Sequence, residues 1–522
     1  MERPATPGWS TRDLVLLLAL LLLGGMVKGV IWQRTAILAR DGIGFIEIAQ
    51  RFDREPWPQV LREAHQHPVY PVHVWLTARA ASWIGMPPQS NLDWQQCAHA
   101  ANVFLGVLVV IPMYVLARPL VGVWGAFAAA FLYQVLPVPA HVTADTLSEG
   151  AYLFWAATGL ALLTRGLQVW RWYWFILAGL AVGLAYLTRP EGAMITLAGL
   201  AVLFWAALRR WQPQPWRRAV LAGLCLGLAT AATVTPYWLT IGRLGSKNTF
   251  NQMLQAAAPS PAANTTATTL LLATRFQPGV DGFDWDDVTP WFVAAVVVKE
   301  IGKGAHYLPA IIALVGLAWF WRRSTKHDDE RAAGVLLSAL LALNVAVLYW
   351  LGYRAHYVSE RHTVLITLAA CPFVIAGLQQ VSAWWARRSP IEPRLATAIM
   401  VGVLVATTVM PNLKPRHQQR LVHRDAGFWL ASHTGPADHV HDPYGYATFY
   451  ADRPYVFRRP GIPSKRQFVL MEPGEKDKSR LAVINEVRRK GEAVMAWPSA
   501  TQPQLVLYQA HFIPPGARAA RP

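Results

Sequence analysis

The feature that most constrains this chain is the recurrence of apolar runs of membrane-spanning length. They fall at about 12–33, 69–86, 96–117, 121–138, 147–165, 172–188, 191–208, 217–240, 304–321, 331–352, 362–381 and 394–411. Runs of roughly 17–25 apolar residues match a bilayer's hydrocarbon thickness. In lipid a backbone must satisfy its own hydrogen bonds, so such runs become helices. Composition agrees: 54% of the 522 residues are hydrophobic and 15% charged, against about 25% charged in a soluble domain. The 24 Trp suit aromatic belts at the two membrane surfaces. The formal net charge of +18 would suggest nucleic acid in a soluble protein. Here the basic residues cluster in short loops between apolar runs, which reads as topology, and no nucleic-acid partner is expected. Cys97, Cys225 and Cys371 lie in or beside apolar runs, without metal-ligand spacing or a disulfide framework. The first run lacks a small-residue cleavage site and more runs follow, so it reads as a retained helix.

Basic clusters set the orientation. Arg165/Arg171, Arg209/Arg210/Arg217/Arg218, Arg322/Arg323/Lys326/Arg331 and Arg387/Arg388/Arg394 fall at every second loop and are assigned to the cytoplasm. With Arg3 and Arg12 also inside, the 69–86 run cannot span. It is short, opens with His67-Pro68-Val69-Tyr70-Pro71 and carries His73 and Arg79. Eleven spans remain, with the N-terminus cytoplasmic and the C-terminus outside. The alternative lets 69–86 span and puts the N-terminus outside. The predicted fold is an all-α polytopic membrane domain over 1–411, with interfacial helices in its first outer loop. A small α/β extracytoplasmic domain follows over 412–522, where the chain turns polar and Pro-rich with strand-like runs at 466–471 and 504–508.

Under this parity the outer loops collect acids and arginines. Asp41 lies just past the first span, either as an ordinary hydrated carboxylate or as a base beside the lipid surface. Asp145 and Glu149 are four apart, which on a helix is one face. At the start of the 147–165 run they read equally as helix caps. Arg189 sits in the turn Thr188-Arg189-Pro190-Glu191-Gly192, and Arg354 and Arg361 in the loop 352–362, which ends on His362. Each arginine is either an interface anchor or a phosphate contact, since guanidinium matches phosphate oxygens in a bidentate fork. His65, His67 and His73 lack helical metal-site spacing and read as interfacial histidines. Asp281, Asp284, Asp286 and Asp287 do not follow a calcium-loop pattern and read as a solvated loop. Asn264-Thr265-Thr266 matches a glycosylation sequon by chance.

Taken in order, these segments resemble the integral-membrane glycosyltransferases of the GT-C superfamily. Asp41-Gly42-Ile43-Gly44-Phe45 is similar to that superfamily's first-loop acidic motif. His67-Pro68-Val69-Tyr70-Pro71 resembles the His-Pro-Pro-Leu-Tyr-Pro segment of bacterial members, and Asp145-Thr146-Leu147-Ser148-Glu149 their acidic second outer loop. Tyr186 to Gly192 resembles their Tyr-Leu-Thr-Arg-Pro-Glu-Gly turn. Glu360-Arg361-His362 resembles a Glu-Arg-Tyr start of a late span, with His362 replacing the usual Tyr. The likeness spans about 30–410 and is nearest to the bacterial group related to protein mannosyltransferases (glycosyltransferase family 39), aminoarabinose transferases and Rgt-type lipopolysaccharide sugar transferases.

The resemblance implies a multi-pass inner-membrane enzyme that takes a polyprenyl-phosphate sugar donor to a glycan, lipid or protein acceptor on the extracytoplasmic face. It implies Asp41 as catalytic base in an inverting displacement. Arg189, Arg361 and Arg354 would contact the donor phosphate. Asp145 and Glu149 would position the acceptor or hold a divalent metal, with no other cofactor expected. His67, Tyr70, Glu191 and His362 would support the site. Gly42 stands where the aminoarabinose type carries a second acid. Two other classes compete: a lipid transporter or scramblase, and an inactive relative acting as a scaffold. A transporter gathers polar groups at the bilayer midplane, where this sequence offers few, Asn102 and Asn344 among them.

Overall fold

The computed structural model describes residues 9–246, 289–323, 328–388, 390–435, 438–453, 466–474, 485 and 487–510. Asp281, Asp284, Asp286, Asp287, the Asn264 sequon and Lys326 lie outside these residues. The membrane part is a helical bundle. Helix α1 (Thr11–Gln33) opens with a capping box in which Ser10 and Asp13 exchange hydrogen bonds. Asp13 also accepts from Tyr114 at 2.7 Å and pairs with Arg118 at 3.0 Å, which ties the start of α1 to a distant span.

A layer of short helices follows: α2 (Arg40–Arg54), α3 (Trp57–Glu63) and α4 (Val69–Trp83). At 15 residues α4 is about 22 Å long, short of the hydrocarbon thickness. The apolar face of α2, with Ile43, Phe45, Ile46 and Ala49, is covered by Tyr70 and Val74 of α4 and by Tyr446 and Phe449 far along the chain. Protein thus covers the apolar face of a helix expected to lie at the membrane interface.

The bundle continues through α5 (Asn91–Leu108), α6 (Val110–Val135), α7 (Pro137–Val142), α8 (Glu149–Val169), α9 (Trp172–Thr188), α10 (Ala193–Leu208) and α11 (Pro215–Ile241). Beyond the next described residue come α12 (Pro290–Gly304), α13 (Leu308–Arg322), α14 (Asp328–Ala355), α15 (Val364–Ala386) and α16 (Pro393–Asn412). Among the described residues, seven helices are long and apolar enough to cross a membrane, or eight if α12 and α13, bent by 101°, form one span. The expected eleven also count α8, the 17-residue α9, and two passes within Asn91–Val135. Gly122, at φ 73°, breaks that 45-residue stretch. The bundle's centre is α15, with 83% of its apolar window buried, whereas α16 is peripheral at 22%.

After α16 the chain forms α17 (Leu421–His433), β1 (His439–His441), α18 (Tyr446–Tyr450), β2 (Gln467–Met471), β3 (Gly491–Trp497) and β4 (Leu505–Ala510). The strands make one sheet in the order β1-β2-β4-β3, with β1 parallel to β2 and the other pairs antiparallel. Phe468, Leu470, Leu505 and Leu507 share a core with α2, α4 and α5. The sheet unit therefore packs on the layer that carries Asp41.

Candidate active site

The site is built from the first turn of α2, the connection 143–148 and the turns that hold Arg189 and Arg361. Past α1, Arg34 closes the helix, and Thr35 forms a parallel bridge with Arg416. Ala39 then turns the chain into α2 and puts Asp41 in its first turn, where a helix favours negative charge. Gly42 allows the close approach behind it. A Cβ there would fall 2.1 Å from Thr146 Oγ1 and 2.8 Å from the Thr146 carbonyl oxygen.

The connection 143–148 is held from below. The fully buried Asn102 donates to the carbonyls of Val142 (2.9 Å) and Asp145 (2.6 Å) and accepts from Gly150 N at 2.8 Å. Lys28, buried in the first span, donates to Ala140 O at 3.1 Å and Thr143 Oγ1 at 2.5 Å. Asp145 precedes α8, whose first residue is Glu149. The two acids therefore do not share a helix face, because the turn 143–148 separates them. Nor does Asp145 cap α8. Its Oδ1 accepts from Ala39 N (3.0 Å) and Thr146 N (2.7 Å), and its Oδ2 lies 2.9 Å from His417 Nε2. Burial opposes the charge on Asp145. The His417 hydrogen bond, the nearby His99 ring and the Thr146 N–H outweigh it and hold the carboxyl well below the usual carboxylate range.

Glu149 is the hub. Its side chain is fully buried, yet its Oε1 accepts from Arg189 Nη1 at 2.8 Å and from Arg361 Nε at 2.9 Å and Nη2 at 2.8 Å. Arg361 also reaches Asp41 Oδ2 through Nη1 at 3.0 Å, and Arg189 reaches Glu191 Oε1 at 2.9 Å. Asp41, Glu149, Arg189, Glu191 and Arg361 thus form one continuous chain of ion pairs. Asp41 is 37% exposed, and Glu149 is sealed beneath it. Arg189, Glu191, Arg361, His362, Tyr152 and Asn344 line a small cavity at this network. A buried carboxylate held by two guanidinium groups fixes both of them in place. Asp41 and Glu191 take further N–H groups of the same two guanidinium groups, so each arginine is shared between two carboxylates.

Other predicted residues take different positions. His362 lines the cavity, and its Nδ1 accepts from Ser359 N at 3.3 Å. Arg354 is exposed at the end of α14 and joins none of these ion pairs. Tyr70 is buried under the site, donating to Ala98 O at 2.9 Å with its ring edge-on to Phe45. Burial and the nearby Asp145 and Glu149 push its phenol well above the ordinary value. His67 packs between Tyr186 and Tyr237, and His73 stacks on Trp155, so these two histidines of the first loop pack against different aromatic partners.

The residues do not fit a divalent cation. Both Asp145 oxygens already hold hydrogen bonds, and Glu149 Oε1 faces two cations. Among the described residues no group of three or more His, Cys, Asp or Glu is placed to share a metal. Sequence reasoning missed His417, Lys28 and the bracing role of Asn102. A charge inside the first apolar run was the available signal for Lys28. His417 carried none.

Residues 67–238 match the family model described as dolichyl-phosphate-mannose-protein mannosyltransferase. Beyond that segment, the fold of the chain is similar to that of integral-membrane glycosyltransferases of the GT-C superfamily. Among solved structures, ArnT from Cupriavidus metallidurans bound to undecaprenyl phosphate matches with a TM-score of 0.60 at 13% identity. That match covers 96% of this chain and 98% of that one. The oligosaccharyltransferase AglB from Archaeoglobus fulgidus, in complex with an inhibitory peptide and a dolichol-phosphate, matches with a TM-score of 0.53 at 13% identity. Here 85% of this chain is covered, and the chain spans 64% of that protein's length. The same archaeal enzyme in complex with Zn and sulfate matches at 0.55 and 14% identity, over 83% of this chain and 61% of that one. No curated protein matches the chain.

Proposed function

We propose that the chain transfers a sugar from a polyprenyl-phosphate donor to an acceptor hydroxyl, with Asp41 as the base. In this reading the carboxylate of Asp41 takes the proton of the acceptor hydroxyl. The acceptor oxygen attacks the anomeric carbon from the face opposite the phosphate, the bond from that carbon to the phosphate oxygen breaks, and the configuration inverts. The electron pair leaves on the polyprenyl phosphate. Arg361 and Arg189 meet its charge, and Glu149 holds both guanidinium groups so that they need not reorganise. Asp145 keeps the backbone before Asp41 in place through Ala39 N and so acts as a positioning residue. Glu191 and His362 line the cavity, while Tyr70 and His67 support its floor. The reaction takes place on the extracytoplasmic face of the inner membrane, and residues 412–522 form an extracytoplasmic domain.

The observation carrying this reading is the contact from Arg361 to both Asp41 and Glu149, three residues drawn together from remote parts of a GT-C fold. The test is incubation of purified protein with a panel of radiolabelled polyprenyl-phosphate sugars and extracted envelope acceptors. Label moving from lipid to acceptor supports the reading. A panel that yields no transfer with any sugar opposes it.

A further inference from the structure

Arg416 is a cation beside the site that takes no part in the ion-pair network described above. It follows the last span by four residues, in a segment without a recognisable motif. Its backbone is fixed: its N–H donates to Arg34 O at 3.0 Å, and it bridges to Thr35 at the outer end of α1. The next residue, His417, is held in the left-handed region at φ 56° and bonds to Asp145. The Arg416 side chain therefore starts from a backbone pinned on both sides. Its Nη1 is buried and has no hydrogen-bond partner among the described residues. Asp145 and Glu360 lie near enough to act on its charge, and Glu360 belongs to the same 3₁₀ turn as Arg361. A buried guanidinium nitrogen without an acceptor is costly, unless a ligand supplies the acceptor. The ligand that suits it is an oxyanion with several acceptor oxygens.

We propose that Arg416 is a phosphate-binding residue, contributed by the segment after the last span, which grips the phosphate of a polyprenyl-phosphate lipid together with Arg361. This rests on the transferase reading above and extends it, because it makes the chain beyond the membrane part a component of the donor site. His99 and His141 line the same region, along with Lys28, Asp145, His417 and Glu360. Of these, Lys28 and His417 are engaged in the hydrogen bonds described, which leaves Arg416 as the cation presenting an unmet donor.

The experiment measures binding of undecaprenyl phosphate, undecaprenol and inorganic phosphate to the full chain in lipid nanodiscs, by tryptophan fluorescence. Wild type, Arg416→Gln and Arg416→Lys are compared, each checked for an unchanged melting temperature. The expected result is undecaprenyl phosphate binding weakened at least tenfold in Arg416→Gln and partly restored in Arg416→Lys. Undecaprenol binding should be equal in all three. A parallel loss for inorganic phosphate would assign the site to phosphate itself, and its absence would assign it to the lipid-linked form; both support the proposal. Undecaprenyl phosphate binding by Arg416→Gln at wild-type strength overturns it. So does an equal loss for undecaprenol. If Arg416→Gln does not fold, wild-type affinity in Arg416→Lys with only the ordinary salt dependence of a surface charge also overturns it. Wild type that binds no polyprenyl phosphate at all would instead sink the transferase reading.

Discussion

Replacing Arg361 by Gln separates catalysis from folding. The substitution removes the contact to Asp41 and two of the three donors on Glu149 Oε1, leaving Arg189. The pair with Asp41 joins side chains that are 34% and 37% exposed, so solvent screening holds its stability value below about 1 kcal/mol. The lost contacts to buried Glu149 would cost more, but Arg189 keeps that carboxylate paired, and about 1–2 kcal/mol is expected. If Arg361 meets the leaving phosphate, removing it raises the barrier by about 3–4 kcal/mol, roughly a hundredfold to a thousandfold in turnover. Arg361→Lys keeps the charge but cannot bridge Asp41 and Glu149 with one planar fork, so it should recover only part of the rate. Transfer at saturating donor and melting by tryptophan fluorescence read the two effects separately. Turnover within threefold of wild type in a folded Arg361→Gln protein would refute the argument. So would a loss no larger than the fraction unfolded.

Asn102→Ala leaves two carbonyls and one N–H buried without partners, so the protein should lose roughly 3 kcal/mol, measured as a lowered unfolding midpoint in detergent. Gly42→Ala should lose most transfer activity in a folded protein, because the new methyl collides with Thr146 and displaces Asp41; adding Thr146→Ala should restore part of it. Burial depresses His73 to about 4, and burial with the charges of Arg416 and Lys28 depresses His141 to about 3. Each ring stays neutral in the folded protein at a pH where it would be protonated in the unfolded chain. Stability should therefore fall as pH drops from about 6.5 toward 4, by up to about 1.4 kcal/mol per pH unit for each ring. Melting curves across that range test this, and His73→Gln should reduce the slope.

Most of the site was legible because its charged residues interrupt apolar sequence. Asp41, Glu149, Arg189 and Arg361 each sit within a few residues of a span, and one charge beside a long hydrophobic run stands out. Their mutual pairing was less legible, since three-dimensional contact between residues 41, 149 and 361 has no periodic signal. Arg354 shows the limit: seven residues before Arg361, it carries the same chemistry in sequence but ends exposed on α14. Asp145 and Glu149 carried helical spacing, but the turn 143–148 overrode it through Asn102, whose amide takes the hydrogen bonds that a longer helix would have used. His417 and Arg416 lie in a polar, Pro-rich stretch where many residues look alike, and only the bridge to Thr35 brings them to the site.

The central claim is that a carboxylate at position 41 removes the acceptor's proton. It is tested most directly by Asp41→Asn, with donor binding and sugar transfer measured on the same preparation. Binding of the polyprenyl-phosphate sugar within a few fold of wild type, together with transfer reduced by at least a thousandfold, is the predicted result. Transfer at the wild-type rate from the asparagine variant would contradict it.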